Sequence, residues 1–274
     1  MVPEVASLFP KLEDKLIDLL QSLTPEEWEA QTVAKLWKVK DVVAHLLDGN
    51  IRTLSIQRDK YFGETPPAIN SYQDLVNWLN GLNADWVKAS KRISPAVLVL
   101  LHQATGKLVC DYYASLDPME PAIFPVAWAG EEESKNWLHV AREYTEKWLH
   151  QQQIRDAVNK PGLMTREFFY PFIGTFMLAL PHTYRNISAK PRTCIKLTVE
   201  TEIGGTWFLV KDTEAWNLTE GTSTPVTTEI NLNPDTAWKL FSKSWRPENV
   251  MDKVKITGDQ QLGEVALSMV SVMA

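Results

Sequence analysis

Apolar residues between Val5 and Leu23 recur three or four positions apart, at Leu8, Leu12, Leu16, Leu19, Leu20 and Leu23, which predicts an amphipathic helix. Thr24-Pro25-Glu26-Glu27 then supplies an N-cap, a proline at the first helical position and a glutamate at the third, the start of a second, short helix. A long helix is predicted from Trp37 to Lys60, with Val39, Val43, Leu46, Leu47, Asn50 and Leu54 along one side. Gly63-Glu64-Thr65-Pro66-Pro67 stops it. Ser71 caps a helix running towards Arg92 with Leu75, Leu79, Leu82 and Trp86 inward. Ser94-Pro95 opens another to about Leu116, with Val97, Leu101, Leu108 and Tyr112 as its apolar side. Asp117 to Gly130 carries three prolines and reads as a structured loop, followed by a helix over 131–158 that ends before Pro161-Gly162. Thr165 to Tyr184 is helical again and strongly aromatic, and Pro171 is expected to kink or restart it.

After Lys190 the period falls from about 3.6 to 2. Thr193–Glu200, Trp207–Lys211, Trp216–Thr219, Thr227–Leu232 and Val254–Thr257 read as strands, with Gly204-Gly205 as a hairpin turn. Helices are predicted over Thr236 to Lys243 and Leu262 to Val272. The chain therefore divides into a helical bundle over 1–160, a helical connector over 161–190 and an α+β domain over 191–274.

At 274 residues, 45% hydrophobic and 23% charged, the chain can bury a sizeable core without staples. A net charge of −6 with dispersed Lys and Arg argues against nucleic acid or an anionic membrane as partner, and leaves small molecules. No segment has the length and apolarity of a membrane span, and the N-terminus lacks the features of a signal peptide. Cys110 and Cys194 stand far apart and read as reduced, buried thiols. These features together predict a soluble, cytoplasmic protein. GxGxxG, P-loop, GxSxG and HExxH motifs are absent, so Rossmann hydride transfer, nucleotide hydrolysis and serine-esterase chemistry lose their usual sequence support.

The chemistry concentrates on Asn136–Val158. Read as a helix, this stretch places His139, Glu143, Glu146 and His150 on one stripe, with Glu146 and His150 one turn apart and able to reach one divalent ion from the same side. A third ligand has to come from another helix. His45, inside the apolar run Val42-Val43-Ala44-His45-Leu46-Leu47, is the candidate. Each alone has an ordinary reading, a core histidine on a backbone carbonyl or a surface Glu–His pair. Together they have the composition of a two-histidine, one-carboxylate centre with open positions. Glu143 would be a neighbouring group that holds an imidazole N–H or an arginine. His102 and His182 have no ligand-like neighbours in the sequence.

Trp37-x-Val39-x-Asp41-Val42-Val43-Ala44-His45-Leu46 and Arg142-x3-Glu146-Lys147-Trp148-Leu149-His150-x3-Ile154-Arg155 resemble the two metal segments of the DinB-like four-helix-bundle superfamily, and within it the mycothiol-dependent maleylpyruvate isomerase group. Pro234-Asp235-Thr236-Ala237-Trp238 and Val254-Lys255-Ile256-Thr257-Gly258-Asp259 are similar to the sterol-carrier-like domain that follows the bundle in those proteins. The resemblance implies a divalent metal, most often zinc, on His45, Glu146 and His150, and a low-molecular-weight thiol such as mycothiol as cofactor. It also points to an arginine before the last strand, here Arg246, facing a substrate carboxylate. The group often has an acidic residue three after the second histidine, where this chain has Gln153.

The resulting expectation is a metal-dependent, thiol-using isomerase or S-transferase acting on an electrophilic small molecule. The alternative is a non-catalytic protein that binds a metal or an apolar ligand.

Overall fold

In the computed structural model, which describes residues 4–269, the chain forms two compact units. Residues 4–124 and 134–163 make a helical unit; residues 125–133 and 164–269 make a unit built on a β-sheet.

In the helical unit the amphipathic repeat becomes α1 (Phe9–Gln21), which buries Phe9, Leu12, Leu16, Leu19 and Leu20. The Thr24–Glu27 signal forms α2 (Pro25–Trp28) with a complete capping box: Glu27 N–H donates to Thr24 Oγ1 at 3.2 Å and Thr24 N–H to Glu27 Oε2 at 2.8 Å. α3 (Val39–Arg52) follows, with Val39, Val42, Val43, Leu46, Leu47 and Asn50 buried. It then passes into a π-helical run, Thr53–Arg58, that the sequence pattern does not distinguish from continued α-helix. α4 (Tyr72–Ser90) and α5 (Pro95–Ser115) start at the serine caps expected for them, Ser71 and Ser94. α6 (Asn136–Val158) ends at Asn159 in the left-handed region.

Helices α1, α3, α5 and α6 pack against one another, and α4 lies against α3. The core between them holds Leu16, Leu20, Val39, Val43, Leu47, Leu98 and Ile154.

The buried face of α5 differs from the expected one. Leu98, His102, Gly106, Val109, Cys110 and Tyr113 point inward, while Val97 and Leu108 are exposed. This helix is apolar on nearly every side, so the pattern does not select a face; packing against α1 and α3 does. The shift by one residue carries Tyr113, rather than Tyr112, into the interior.

In the second unit α7 (Arg166–Met177) runs through Pro171, and Thr175 Oγ1 donates to the Pro171 carbonyl at 2.8 Å. The break comes after Met177, and Pro181 lies in the first turn of α8 (Leu180–Tyr184). Five strands follow: β1 (Cys194–Val199), β2 (Gly205–Lys211), β3 (Trp216–Thr219), β4 (Thr228–Leu232) and β5 (Val254–Gly258). They form one sheet in the order β3-β2-β1-β4-β5, with β1 and β4 parallel and the other pairs antiparallel.

Gly204 closes the β1–β2 hairpin so tightly against the Val199 carbonyl that a Cβ has no room there. α9 (Pro234–Phe241) packs on α7, and α10 (Gln260–Leu267) packs on α8, β4 and β5. The part of the expected last helix beyond Met269 lies outside the described residues. An N-terminal all-α bundle followed by an α+β domain is the fold class expected from the sequence. Among the described residues no helix is long and apolar enough to cross a membrane.

Candidate metal centre

His45 on α3 and Glu146 and His150 on α6 come together, one ligand atom from each lying within 4.8 Å of the others. The His45 and His150 rings meet edge to face at 4.6 Å between centroids, and Trp37 packs against both, at 4.8 and 6.1 Å. Helical spacing on α6 delivers Glu146 and His150 as a pair, and the α3–α6 contact supplies His45. The three line a cavity of about 40 Å³ together with Gly49, Asn50, Thr53, Tyr113, Glu143 and Lys147.

Two features bear on whether these residues suit a divalent ion. His150 Nδ1–H donates to Gln153 Oε1 at 2.9 Å, and His150 Nε2 lies 3.3 Å from Glu146 Oε2. A proton on Nε2 or a divalent ion between the two atoms would each satisfy that contact. The spacing matches the roughly 3.3 Å edge of a tetrahedron with bonds of about 2.0–2.1 Å. The second feature is His45, whose Nδ1 is buried with no hydrogen-bond partner among the described residues. Burial, with the His150 and Arg52 charges adding to it, holds the His45 pKa well below the usual histidine value, so the imidazole is the neutral form that coordinates a metal. His102, fully buried on α5, also has an Nδ1 without a hydrogen-bond partner among the described residues, but its Nε2–H donates to the Val43 carbonyl at 3.0 Å, the bond of a core histidine, and it is not part of the three-residue cluster. The residues fit the ion.

His139 and Glu143, on the same stripe of α6, belong to a buried polar chain beside the centre. Gln57 Oε1 accepts from His139 Nε2–H at 2.8 Å, and His139 Nδ1 accepts from Arg142 Nη2–H at 2.9 Å. Arg142 also pairs with Glu143, which accepts a hydrogen bond from Tyr113, and the Tyr113 hydroxyl meets Thr53 Oγ1 at 3.0 Å. The chain starts and ends on the π-helical run: Thr53 and Gln57 both face inward there, and such runs recur at functional sites.

Burial alone would raise the Glu143 pKa; the Arg142 charge, His139 and the hydrogen bonds outweigh it, and the carboxylate stays ionised. Tyr113 is held well above the usual tyrosine value, first by burial and then by Glu143. Arg142 entered the sequence reading only as the first residue of the second metal segment, and Tyr113, Gln57 and Thr53 were not singled out there. Of the four, only Arg142, three positions after His139, has a helical spacing from which its contact could be read.

Arg246 lies in the other unit, exposed, with its backbone N–H donating to Asn249 Oδ1 at 3.2 Å at the start of the turn Pro247–Asn249. His182 packs on Gly130 within that same unit. Both cysteines are buried, and burial pushes the Cys110 thiol up to about 11, which leaves it protonated and unreactive at neutral pH.

His139 gives a pH dependence. Burial and the Arg142 charge lower its pKa to about 4, whereas an unfolded histidine titrates at about 6.5. The unfolded state takes up the proton first, so stability is full above about pH 6.5 and falls as pH drops towards 4, by up to about 3 kcal/mol from this residue. Urea unfolding at pH 7.5 and 4.5 should show a smaller loss for His139→Gln than for the wild type. An equal loss would remove His139 from the pH response.

A helical bundle that gathers two imidazoles and a carboxylate from facing helices around a small polar cavity has the form of the bundles that build metal sites in their cores. Residues 9–155, just over half of the chain, match the model of the mycothiol maleylpyruvate isomerase N-terminal domain, and the chain belongs to that family. Two solved structures share the fold. A histidine-to-alanine mutant of the mycothiol-dependent maleylpyruvate isomerase is 10% identical with a TM-score of 0.55. Another structure of the mycothiol-dependent maleylpyruvate isomerase is also 10% identical, with a TM-score of 0.52. Each match covers 94% of this chain and 93% of the other. A sequence comparison with curated proteins gives no match.

Proposed function

We propose that the helical unit holds one divalent ion, zinc in the first instance, on His45, Glu146 and His150, and that the protein joins a low-molecular-weight thiol to an electrophilic double bond, as an isomerase or S-transferase. The observation that carries this reading is the convergence of His45, Glu146 and His150, one ligand atom from each within 4.8 Å of the others, with His45 Nδ1 buried and without a hydrogen-bond partner among the described residues. Membership of a family named for a mycothiol maleylpyruvate isomerase supports the thiol and the substrate type.

A zinc ion with three protein ligands supplies an open position and lowers the pKa of a thiol placed there. The side chains contribute the rest. Glu143, which stays ionised and lines the cavity, is the proposed acceptor of the thiol proton. Gln153 fixes the His150 ring. Arg246 is the proposed partner of a substrate carboxylate, a role that rests on the family resemblance.

The thiolate sulfur adds to one alkene carbon, and the π pair moves onto the conjugated carbonyl oxygen. Rotation about the new single bond and return of the pair expels the thiolate and leaves the trans isomer. In a transferase the neighbouring carbon takes a proton and the adduct departs.

The test is cis-to-trans conversion of maleylpyruvate by zinc-loaded protein with mycothiol. Turnover that needs the thiol and stops on chelation is expected. Turnover indifferent to both would contradict the proposal, and metal uptake without turnover on any thiol would leave a binding protein. Second, Gln153→Glu should tighten zinc binding about tenfold, because a carboxylate makes the His150 ring a stronger donor than an amide does. Competition with a chelating dye measures this, and unchanged affinity would mean that Gln153 does not tune the ring.

A further inference from the structure

A second cavity of the helical unit, about 660 Å³ in volume, lies between α1 and α5. Two of the side chains lining it are polar and buried: Glu13 on α1 is 8% exposed and His102 on α5 is 0% exposed. Each keeps one atom without a hydrogen-bond partner among the described residues, Glu13 Oε1 and His102 Nδ1. Their other atoms are engaged. Lys147 Nζ stands 3.2 Å from Glu13 Oε2, and His102 Nε2–H donates to the Val43 carbonyl at 3.0 Å. Burial lowers the His102 pKa, so the ring is neutral and Nδ1 carries a lone pair. Both unpartnered atoms are therefore acceptors, each short of a donor.

Gly106 makes room for this arrangement. It lies one turn after His102, and a Cβ there would collide with the Glu13 carboxyl. Glycine inside a helix costs about 1 kcal/mol relative to alanine; here it lets the carboxylate lie against α5. Asp14 and Asp18 on α1 and Asp111 on α5 line the exposed rim. Lys107 pairs with Asp111 at 2.7 Å and Lys147 pairs with Glu13, so two carboxylates of the lining, Asp14 and Asp18, are in surplus.

Acids on the outer face of an amphipathic helix are ordinary, and one water could donate to both floor atoms. Neither accounts for a cavity of this size with acceptors at its floor and surplus carboxylates at its rim. A metal ion fits poorly, because outside the centre described above no three His, Cys, Asp or Glu ligand atoms of the described residues lie close enough together to hold one.

We propose that this groove binds a small aliphatic polyammonium ligand, one charged nitrogen donating to Glu13 Oε1 and His102 Nδ1 and another meeting Asp14 and Asp18, with the alkyl chain along Ile17. An ammonium brings three donors and no acceptor, which suits a lining of acceptors, and its hydrogen bonds to carboxylates are of the strong kind. The volume falls within the range of small-molecule sites, about 300–1,000 Å³. The groove shares no lining residue with the cavity of the candidate metal centre, and the inference does not rest on the metal reading.

The experiment is calorimetric titration of the full-length protein with putrescine and the longer spermidine, in the wild type, Glu13→Gln and the double variant Asp14→Asn/Asp18→Asn. Saturable binding of either amine to the wild type is expected. Glu13→Gln should weaken it about tenfold or more, the effect of a lost charged hydrogen bond. The double variant should weaken it a few-fold, as exposed ion pairs do. Because Asp14 and Asp18 are exposed, the double variant serves if Glu13→Gln, which leaves Lys147 without its carboxylate, does not fold.

No saturable binding by the wild type at millimolar amine would overturn the proposal and leave an ordinary wetted groove. Amine binding that the variants keep unchanged would overturn it too, since the ligand would then sit elsewhere, a metal at the centre included.

Discussion

Replacing Arg142 with methionine is expected to destabilise the helical unit by about 3 kcal/mol, because it strips the counter-charge from a carboxylate in the bundle interior. Glu143 stays ionised in the fold only because the Arg142 guanidinium, His139 and two hydrogen bonds outweigh its burial. Without Arg142 it must either stay charged with little compensation or take up a proton. His139 Nδ1 would lose its donor in the same step. The double variant Arg142→Met/Glu143→Gln removes the charge as well and should recover much of the loss, since a pair in contact is not additive. Urea midpoints of the wild type, both single variants and the double variant form the test. A double variant as unstable as the sum of the singles would mean that the pair is not coupled.

The second large effect concerns the ligands. His45→Ala and His150→Ala are each expected to lower zinc affinity by two or more orders of magnitude, since a site left with two protein ligands forfeits much of its binding free energy. Both variants should stay folded, because Val39, Val43, Leu47, Leu98 and Ile154 make the core around them. His45→Ala also removes a buried imidazole nitrogen that has no partner, which offsets part of the lost packing. Circular dichroism beside a zinc titration separates the outcomes. Full zinc binding by either variant would strike that histidine from the ligand set.

These effects also mark where the sequence was informative. The Glu146–His150 pair is written in its own spacing, as any i,i+4 pair on a helix is. His45 needed more, since its apolar surroundings predict a core histidine; it became the candidate because a third ligand had to come from another helix, and the family resemblance pointed to the same residue. The capping box at Thr24 and the turn at Gly204 were legible because each rests on residues close together in the chain.

The polar chain beside the centre was not legible. His139 and Gln57 are 82 positions apart, and they meet only because a π-helical run turns Thr53 and Gln57 inward. Tyr113 was hidden by the near-uniform apolarity of α5, where pattern could not choose between it and Tyr112.

The most direct measurement is elemental analysis of the full-length protein, purified without chelator and then offered zinc, beside Glu146→Ala. Glu146 is the one carboxylate among the three proposed ligands, and its removal leaves two imidazoles. About one zinc per chain in the wild type, with almost none in the variant, is the expected result. No metal retained or taken up by the wild type, or the same zinc content in both proteins, would contradict the metal centre.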